Sequence, residues 1–457
     1  MKYWKWLLLL PAVFLLCSAA GAAEAGTARA IILFEEDAAL TDADLEGEPG
    51  VEVLWRYERL FSGAAVEADS GALRALRSME GVAGVVPVQS RARPRNGGGT
   101  EVWSPAALEL MGLEPLREAG YDGGGTVIAV VDSGVRTSHD AFADWGQVRS
   151  PALTPADIAA FADRGRTEGA YVSAKIPFAF DYYGRDDDVS TTDDHGTHVA
   201  GLAAGYVLDG DGDGQALFRG AAPAAQLLAM KVFPDGKGSG ADDAVILRAL
   251  EDAWNLGADV INLSLGSGGG FTADGTLDGL YCRAFAQLRE SGVLLCCAAG
   301  NSGAATELKT QGSALPSAGY PDYGTVCSPA AYRGTLAVAA AEWDEERGVP
   351  VPAGYSSWGT TSDLRLVPAL TAFGGPVLSA AGAGDETYLR ESGTSMASGS
   401  AAGALAVLLQ TLRERGVTDK EEAADLAERL LESTAQIMET GSGVPFSPRK
   451  QGAGLID

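Results

Sequence analysis

Three short segments of this sequence carry side chains that could share one reaction. Val130-Val131-Asp132-Ser133-Gly134 closes an apolar run on an acid. Asp194-His195-Gly196-Thr197-His198-Val199-Ala200-Gly201 holds two of the chain's 3 histidines, and Glu391-Ser392-Gly393-Thr394-Ser395-Met396-Ala397-Ser398 sets a serine at the start of a long apolar stretch. Each has an ordinary reading by itself. An Asp leaving a strand opens a turn, and a serine at that position can cap a helix. His195 and His198 share a helix face and could begin a metal site, but no Glu or third ligand accompanies them. Together the three segments suit acyl transfer. A serine hydroxyl is a weak nucleophile until a base takes its proton, and the base needs an acid to fix its tautomer. Asp132, His195 and Ser395 stand 63 and 200 residues apart, in one of the chain orders in which that triad occurs.

For these side chains to meet, their segments must end at one edge of a common framework. From residue 102 onward, strands predicted at 126–131, 226–232, 259–263, 293–298 and 335–340 alternate with helices at 198–206, 241–256, 277–290, 395–413 and 420–431. Short, continuously apolar strands separated by helices imply an α/β fold whose parallel sheet is covered on both faces, with ligand sites at the carboxyl ends of the strands. Residues 27–90 show a separate, compact α+β pattern. It ends in Ser90-Arg91-Ala92-Arg93-Pro94-Arg95-Asn96-Gly97-Gly98-Gly99, which sets a domain boundary open to proteolysis. Lys2 and Lys5 before the apolar run 7–16 read as an export signal over residues 1–23, and no later segment reads as a membrane span.

Composition removes several functions. A net charge of −27 lacks the basic footprint that nucleic acid or anionic membranes need. Beyond the signal, Cys282, Cys296, Cys297 and Cys327 are too few for a disulfide scaffold. Cys296 and Cys297, adjacent on a strand, would point to opposite faces; all four are expected as buried thiols, with Cys282 and Cys296 the one candidate bridge. The acidic loop Asp209-Gly210-Asp211-Gly212-Asp213-Gly214 begins like a calcium loop, but its twelfth position is Gly220 where an EF-hand needs a bidentate Glu. It reads as a solvated turn that leaves a different calcium site open.

The residues around His195 and Ser395 also carry a family resemblance. His195-Gly196-Thr197-His198-Val199-Ala200-Gly201 and Gly393-Thr394-Ser395-Met396-Ala397 resemble the signatures of the subtilases, the subtilisin-like serine peptidases. The resemblance implies a three-layer subtilisin-like fold with a mostly parallel central sheet over residues 101–457. It implies a secreted or cell-envelope-associated endopeptidase acting on proteins and peptides, in which Asp132 orients His195, His195 serves as base and then acid, and Ser395 attacks the scissile carbonyl. Ala298-Ala299-Gly300-Asn301 resembles the oxyanion segment, so Asn301 would donate its amide beside the Ser395 N–H. Ser264-Leu265-Gly266 resembles one edge that pairs with an extended substrate, and Gly238-Ser239-Gly240 the opposite edge.

Within the family, segments 220–233, 320–324 and 355–359 look most like the lactocepin-type cell-envelope proteinases. Residues 27–90 are similar to the family's inhibitory propeptide, a small ferredoxin-like unit, with 91–100 as the linker cut on maturation. The implied chemistry requires no cofactor and assigns no metal ligand; structural calcium stays open. Two positions depart from the family pattern: Gly399 replaces a proline, and Ala372-Phe373-Gly374 replaces Ala-Pro-Gly. The rival reading is a catalytically inactive module that binds peptides in the same cleft, against which the intact set Asp132, His195, Asn301 and Ser395 argues.

Overall fold

Alternating apolar residues build the N-terminal unit. The computed structural model describes residues 27–92, 111–164, 167–191, 193–208, 216–235, 240–267, 277–303 and 324–457. The expected signal 1–23, linker residues 93–100, the loop 209–214, and Gly238 and Ser239 lie outside them. Strands β1 (Ala28–Phe34), β2 (Val51–Tyr57), β3 (Gly63–Ala68) and β4 (Val82–Pro87) form an antiparallel sheet of order β2-β3-β1-β4. With α1 (Asp42–Glu46) after β1 and α2 (Ser70–Arg77) after β3, this is the ferredoxin-like split βαβ pattern. Ala30, Ile32, Ala64 and Val66 face those helices in a small core with Leu45 and Leu76. Their neighbours Ile31 and Ala65 face the other way, into the core of the large body.

The tail of the N-terminal unit forms β5 (Ser90–Arg91), and the large body then runs through α3 (Glu114–Glu118), β6 (Val127–Asp132), α4 (Pro155–Ala162), β7 (Phe178–Asp181) and α5 (Asp194–Ala204). Next come β8 (Tyr206–Leu208), β9 (Ala216–Arg219), β10 (Gln226–Lys231), β11 (Ala241–Asp242) and α6 (Asp243–Asn255). The chain continues through β12 (Val260–Leu263), α7 (Leu277–Glu290), β13 (Leu294–Ala298), β14 (Leu336–Asp344), β15 (Val349–Pro352) and β16 (Leu370–Gly375). It closes with β17 (Val377–Ala380), β18 (Tyr388–Glu391), α8 (Thr394–Glu414), α9 (Lys420–Thr434) and α10 (Pro448–Gln451). The main sheet runs β15-β14-β13-β12-β6-β10-β7, and β16 pairs with β14; every pairing is parallel except β14 with β15.

Strands β6, β10, β12 and β13 are buried throughout, because helices cover both faces. Ile128, Val130, Leu227, Leu294 and Cys296 face α5 and α8, whereas Val127, Ala129, Leu228, Leu295 and Cys297 face α6 and α7. This two-faced alternation makes the three layers. It also rules out the candidate bridge: Cys282, on α7, lies across the sheet from Cys296, and all four cysteines are free. Helix α8 is apolar and long enough to cross a membrane, but its window is 89% buried inside the body, which is what a core helix requires.

The seam between α5 and α8 depends on small residues. A Cβ on Gly403 would stand 2.4 Å from the Ala203 carbonyl, and one on Gly399 would stand 3.0 Å from that of Val199. Glycine at 399, where the family pattern has proline, therefore sits in continuous helix and lets α5 approach. The N-terminal unit docks mainly on α6. Tyr57 Oη donates to the Ala244 carbonyl at 2.7 Å, Arg248 Nη1 donates to that of Arg56 at 2.7 Å, and buried Glu251 accepts from the N–H groups of Glu58 and Leu60.

Candidate active site

Neighbouring strands β13, β12 and β6 end at the same edge of the sheet, and each delivers one candidate group there. Asp132 is the last residue of β6, Ser264 follows β12, and Asn301 lies just past β13. This is where an open parallel sheet gathers its ligand sites. Helices α5 and α8 bring His195 and Ser395 within their first turns.

His195 Nδ1 lies 2.8 Å from Asp132 Oδ1, and both side chains are buried. A carboxylate only accepts, so Nδ1 carries the hydrogen and Nε2 presents a lone pair. The helix start is built for this approach. Asp193 caps α5 by accepting from His195 N at 3.0 Å, and Ser133 Oγ accepts from Gly196 N at 3.1 Å. At Gly196 a Cβ would lie 2.2 Å from the Gly134 carbonyl and 3.1 Å from Asp132 Oδ1, so any side chain would push the histidine off the acid. Asp194 is turned elsewhere, its Oδ1 accepting from Ala383 N.

Ser395 is buried, and its Oγ has no hydrogen-bond partner among the described residues. Its carbonyl is held at 3.1 Å by Ser264 Oγ, which also receives Asn262 Nδ2 at 2.9 Å. The Ser264 side chain thus ties β12 to the first turn of α8. Asn301 Oδ1 accepts from both Thr394 N and Thr394 Oγ1 at 2.9 Å, which turns Nδ2 to the opposite side of the amide. At Gly393 a Cβ would meet Asn301 Nδ2 at 3.2 Å and Ser395 N at 3.7 Å. Two N–H donors therefore flank one small volume beside Ser395, and only glycine leaves it open. In the sequence the glycine before Thr394 marks a tight approach that sets Ser395 at the helix start. The structure adds that Gly393 keeps the space beside Asn301 Nδ2 open, and that Thr394, which no sequence signal singled out, holds Asn301 Oδ1.

Two main-chain rails border the cleft. Gly266 N donates to the Ala92 carbonyl at 2.9 Å, and β11 pairs antiparallel with β5, with Ala241 opposite Arg91 and Asp242 opposite Ser90. A Cβ on Gly240 would lie 2.2 Å from Ser90 Oγ, so the glycine is needed for this close passage. Leu265 is fully buried under the rail. Cys327 Sγ lies under Gly266 and Gly300 and donates to the Ala298 carbonyl; burial pushes its thiol up to about 12, which makes it a packing group and no nucleophile.

The other histidines are structural. His198 Nε2 donates to the carbonyls of Val377 and Leu389, and burial, then the neighbouring His195, depresses it to about 3. His139 Nδ1 caps a short 3₁₀ turn by accepting from Ala141 N, while Nε2 donates to the Thr387 carbonyl. Among the described residues no three His, Cys, Asp or Glu side chains cluster as metal ligands.

A parallel α/β body with an acid–histidine pair, a serine on a helix N-terminus and two convergent N–H donors defines a serine-hydrolase class of site. The chain belongs to the subtilase family, whose model matches residues 123–454. It is 38% identical over 229 residues to the PIII-type proteinase of Lactococcus lactis subsp. cremoris, covering 49% of this chain and 11% of that protein. To the C5a peptidase of Streptococcus pyogenes serotype M3 it is 34% identical over 236 residues, or 51% of this chain and 19% of the relative. This chain thus spans only a small part of the length of these curated relatives. Among solved structures, fervidolysin from Fervidobacterium pennivorans superposes with a TM-score of 0.63 at 21% identity, covering 95% of this chain and 60% of that one. The fold is subtilisin-like, as the sequence motifs implied.

Proposed function

We infer that this protein is a secreted or cell-envelope serine endopeptidase that hydrolyses proteins and peptides. The observation that carries this reading is the Asp132–His195 hydrogen bond at the sheet edge where Ser395 and the two donors around Gly393 also converge. Ser395 Oγ attacks the scissile carbonyl carbon while His195 Nε2 takes its proton, and Asp132 stabilises the imidazolium that forms. The tetrahedral oxyanion accepts from Asn301 Nδ2 and Ser395 N. As the carbon–nitrogen bond breaks, the amine leaves with the proton from His195; water then repeats the sequence in reverse roles and frees the acid.

The N-terminal unit is read as an inhibitory propeptide, because its tail from Ser90 to Ala92 already lies as an added strand between the two rails. No cofactor enters these steps, and a structural calcium remains a separate expectation. The relatives' descriptions as proteinases and peptidases support the activity class. The test is a fluorophosphonate probe and a denatured protein substrate given to the purified chain. We expect label on Ser395 and internal peptide-bond cleavage, both abolished in Ser395→Ala. Cleavage by Ser395→Ala within tenfold of the parent overturns the assignment.

A further inference from the structure

Arg91, in the N-terminal tail, is a buried cation, and its side-chain partners come from the body. Its side chain is 4% exposed and that of Asp243 is 0% exposed. Nε donates to Asp243 Oδ1 at 2.7 Å, and Nη1 donates to Ser328 Oγ at 2.7 Å and Ser267 Oγ at 3.1 Å. The guanidinium lies 5.5 Å from the Tyr281 ring centroid, and Tyr281 stacks on Tyr332. Tyr281 Oη donates to Asp243 Oδ1 at 2.8 Å, so the carboxylate is already oriented by the body. The rest of its coordination comes from the tail: Arg91 Nε and Gln89 N, the latter to Oδ2 at 2.9 Å. When the tail leaves, a carboxylate at the N-terminus of α6 loses both of these donors, and a group so placed is costly to leave unmade.

The tail occupies this place by main-chain pairing to Ala241, Asp242 and Gly266, the same contacts any extended peptide in the cleft would make. We propose that Asp243, Ser267, Ser328, Tyr281 and Tyr332 form a substrate subsite selective for an arginine side chain, occupied by Arg91 in the full-length chain and by an arginine of the substrate after maturation. The proposal rests on the endopeptidase reading above and names the substrate class for that site. The fork of N–H donors reaching a carboxylate on one side and two hydroxyls on the other, with an aromatic ring against it, matches a planar guanidinium; an ammonium offers donors from a single point. The subsite thus ranks arginine above lysine, and both above neutral side chains.

The test uses the self-processed protein and quenched peptides spanning residues 87–100 of this chain, with Arg93→Ala and Arg95→Ala so that position 91 is the one basic residue. Position 91 is Arg, Lys or citrulline, the last keeping the shape without the charge. We expect kcat/KM for the Arg peptide to exceed that for the citrulline peptide by about 10- to 100-fold, with Lys between them. In Asp243→Asn that ratio should collapse to within about threefold. Fluorophosphonate labelling of Ser395 is read in the same samples. Labelled wild-type protein that cleaves Arg and citrulline peptides equally overturns the subsite and leaves the peptidase reading standing; this comparison needs no variant. A full Arg preference in folded Asp243→Asn also overturns the assignment. Unlabelled protein that cleaves no peptide overturns the endopeptidase reading and the subsite with it.

Discussion

Gly393 shows how a residue without a side chain can shape chemistry. Its backbone is extended, with φ 166°, so conformation does not demand glycine; the space between Asn301 Nδ2 and Ser395 N does. A methyl group there would fill the volume in which a developing oxyanion must sit. We expect Gly393→Ala and Asn301→Ala each to lower kcat by roughly 10²–10³ with little change in KM, since both act only as charge develops. Steady-state kinetics on one peptide decides it: losses confined to KM would assign both residues to ground-state binding. Thr394 belongs with them, because its N–H and hydroxyl hold Asn301 Oδ1 and so choose which end of the amide faces the site.

Among the elements, the N-terminal sheet has one face for its own helices and one for the body, with buried Tyr57 and Leu60 and the cation of Arg59 over Trp254 sealing the second. A unit so docked, with its tail in the cleft and a Gly-rich linker beyond, should be cut by the enzyme that it covers. We expect the parent chain to split between about residues 90 and 100, and Ser395→Ala to persist uncut after loss of the signal. Identical N-terminal sequences from the two proteins would assign the cut to another protease. Lys175, just before β7, gives a second element-level expectation. Its Nζ donates to the carbonyls of Pro223 and Ala225, and burial drops its pKa to about 7 from the usual 10.5. Between those values the unfolded chain holds a proton that the folded chain lacks. Stability from this group therefore rises with pH across that window, by up to about 1.4 kcal/mol per unit. Thermal unfolding of Ser395→Ala with and without Lys175→Met should show the rise only when the lysine is present; parallel curves from pH 7 to 10 would refute it.

For the whole molecule, a net charge of −27 goes with a cleft that accommodates the cation of Arg91. We expect kcat/KM for a cationic peptide to fall roughly tenfold from low salt to about 0.5 M, with a neutral peptide unchanged, as steering is screened; equal salt dependence would place the effect in the enzyme. The sequence by itself made the parallel α/β body legible, because buried strands such as β10 and β13 are continuous apolar runs and α7 begins and ends where its periodicity does. It marked Asp132, His195 and Ser395 as candidates from their own segments, in which covalent neighbours serve placement as Gly196 does for His195, while Asn301 came from the resemblance to the subtilases. Strands β7 and β16 were not foreseen; β16 closes on Gly374-Gly375, which reads as a turn. Only the tertiary structure put Arg91 against Asp243, 152 residues away, turned Cys282 and Cys296 to opposite sides of the sheet, and made Gly399 a point of helix contact. Those pairings depend on strand order and on which face each helix covers, and no local run of residues encodes either; they arise when β13, β12, β6 and β10 line up and the layers close over them.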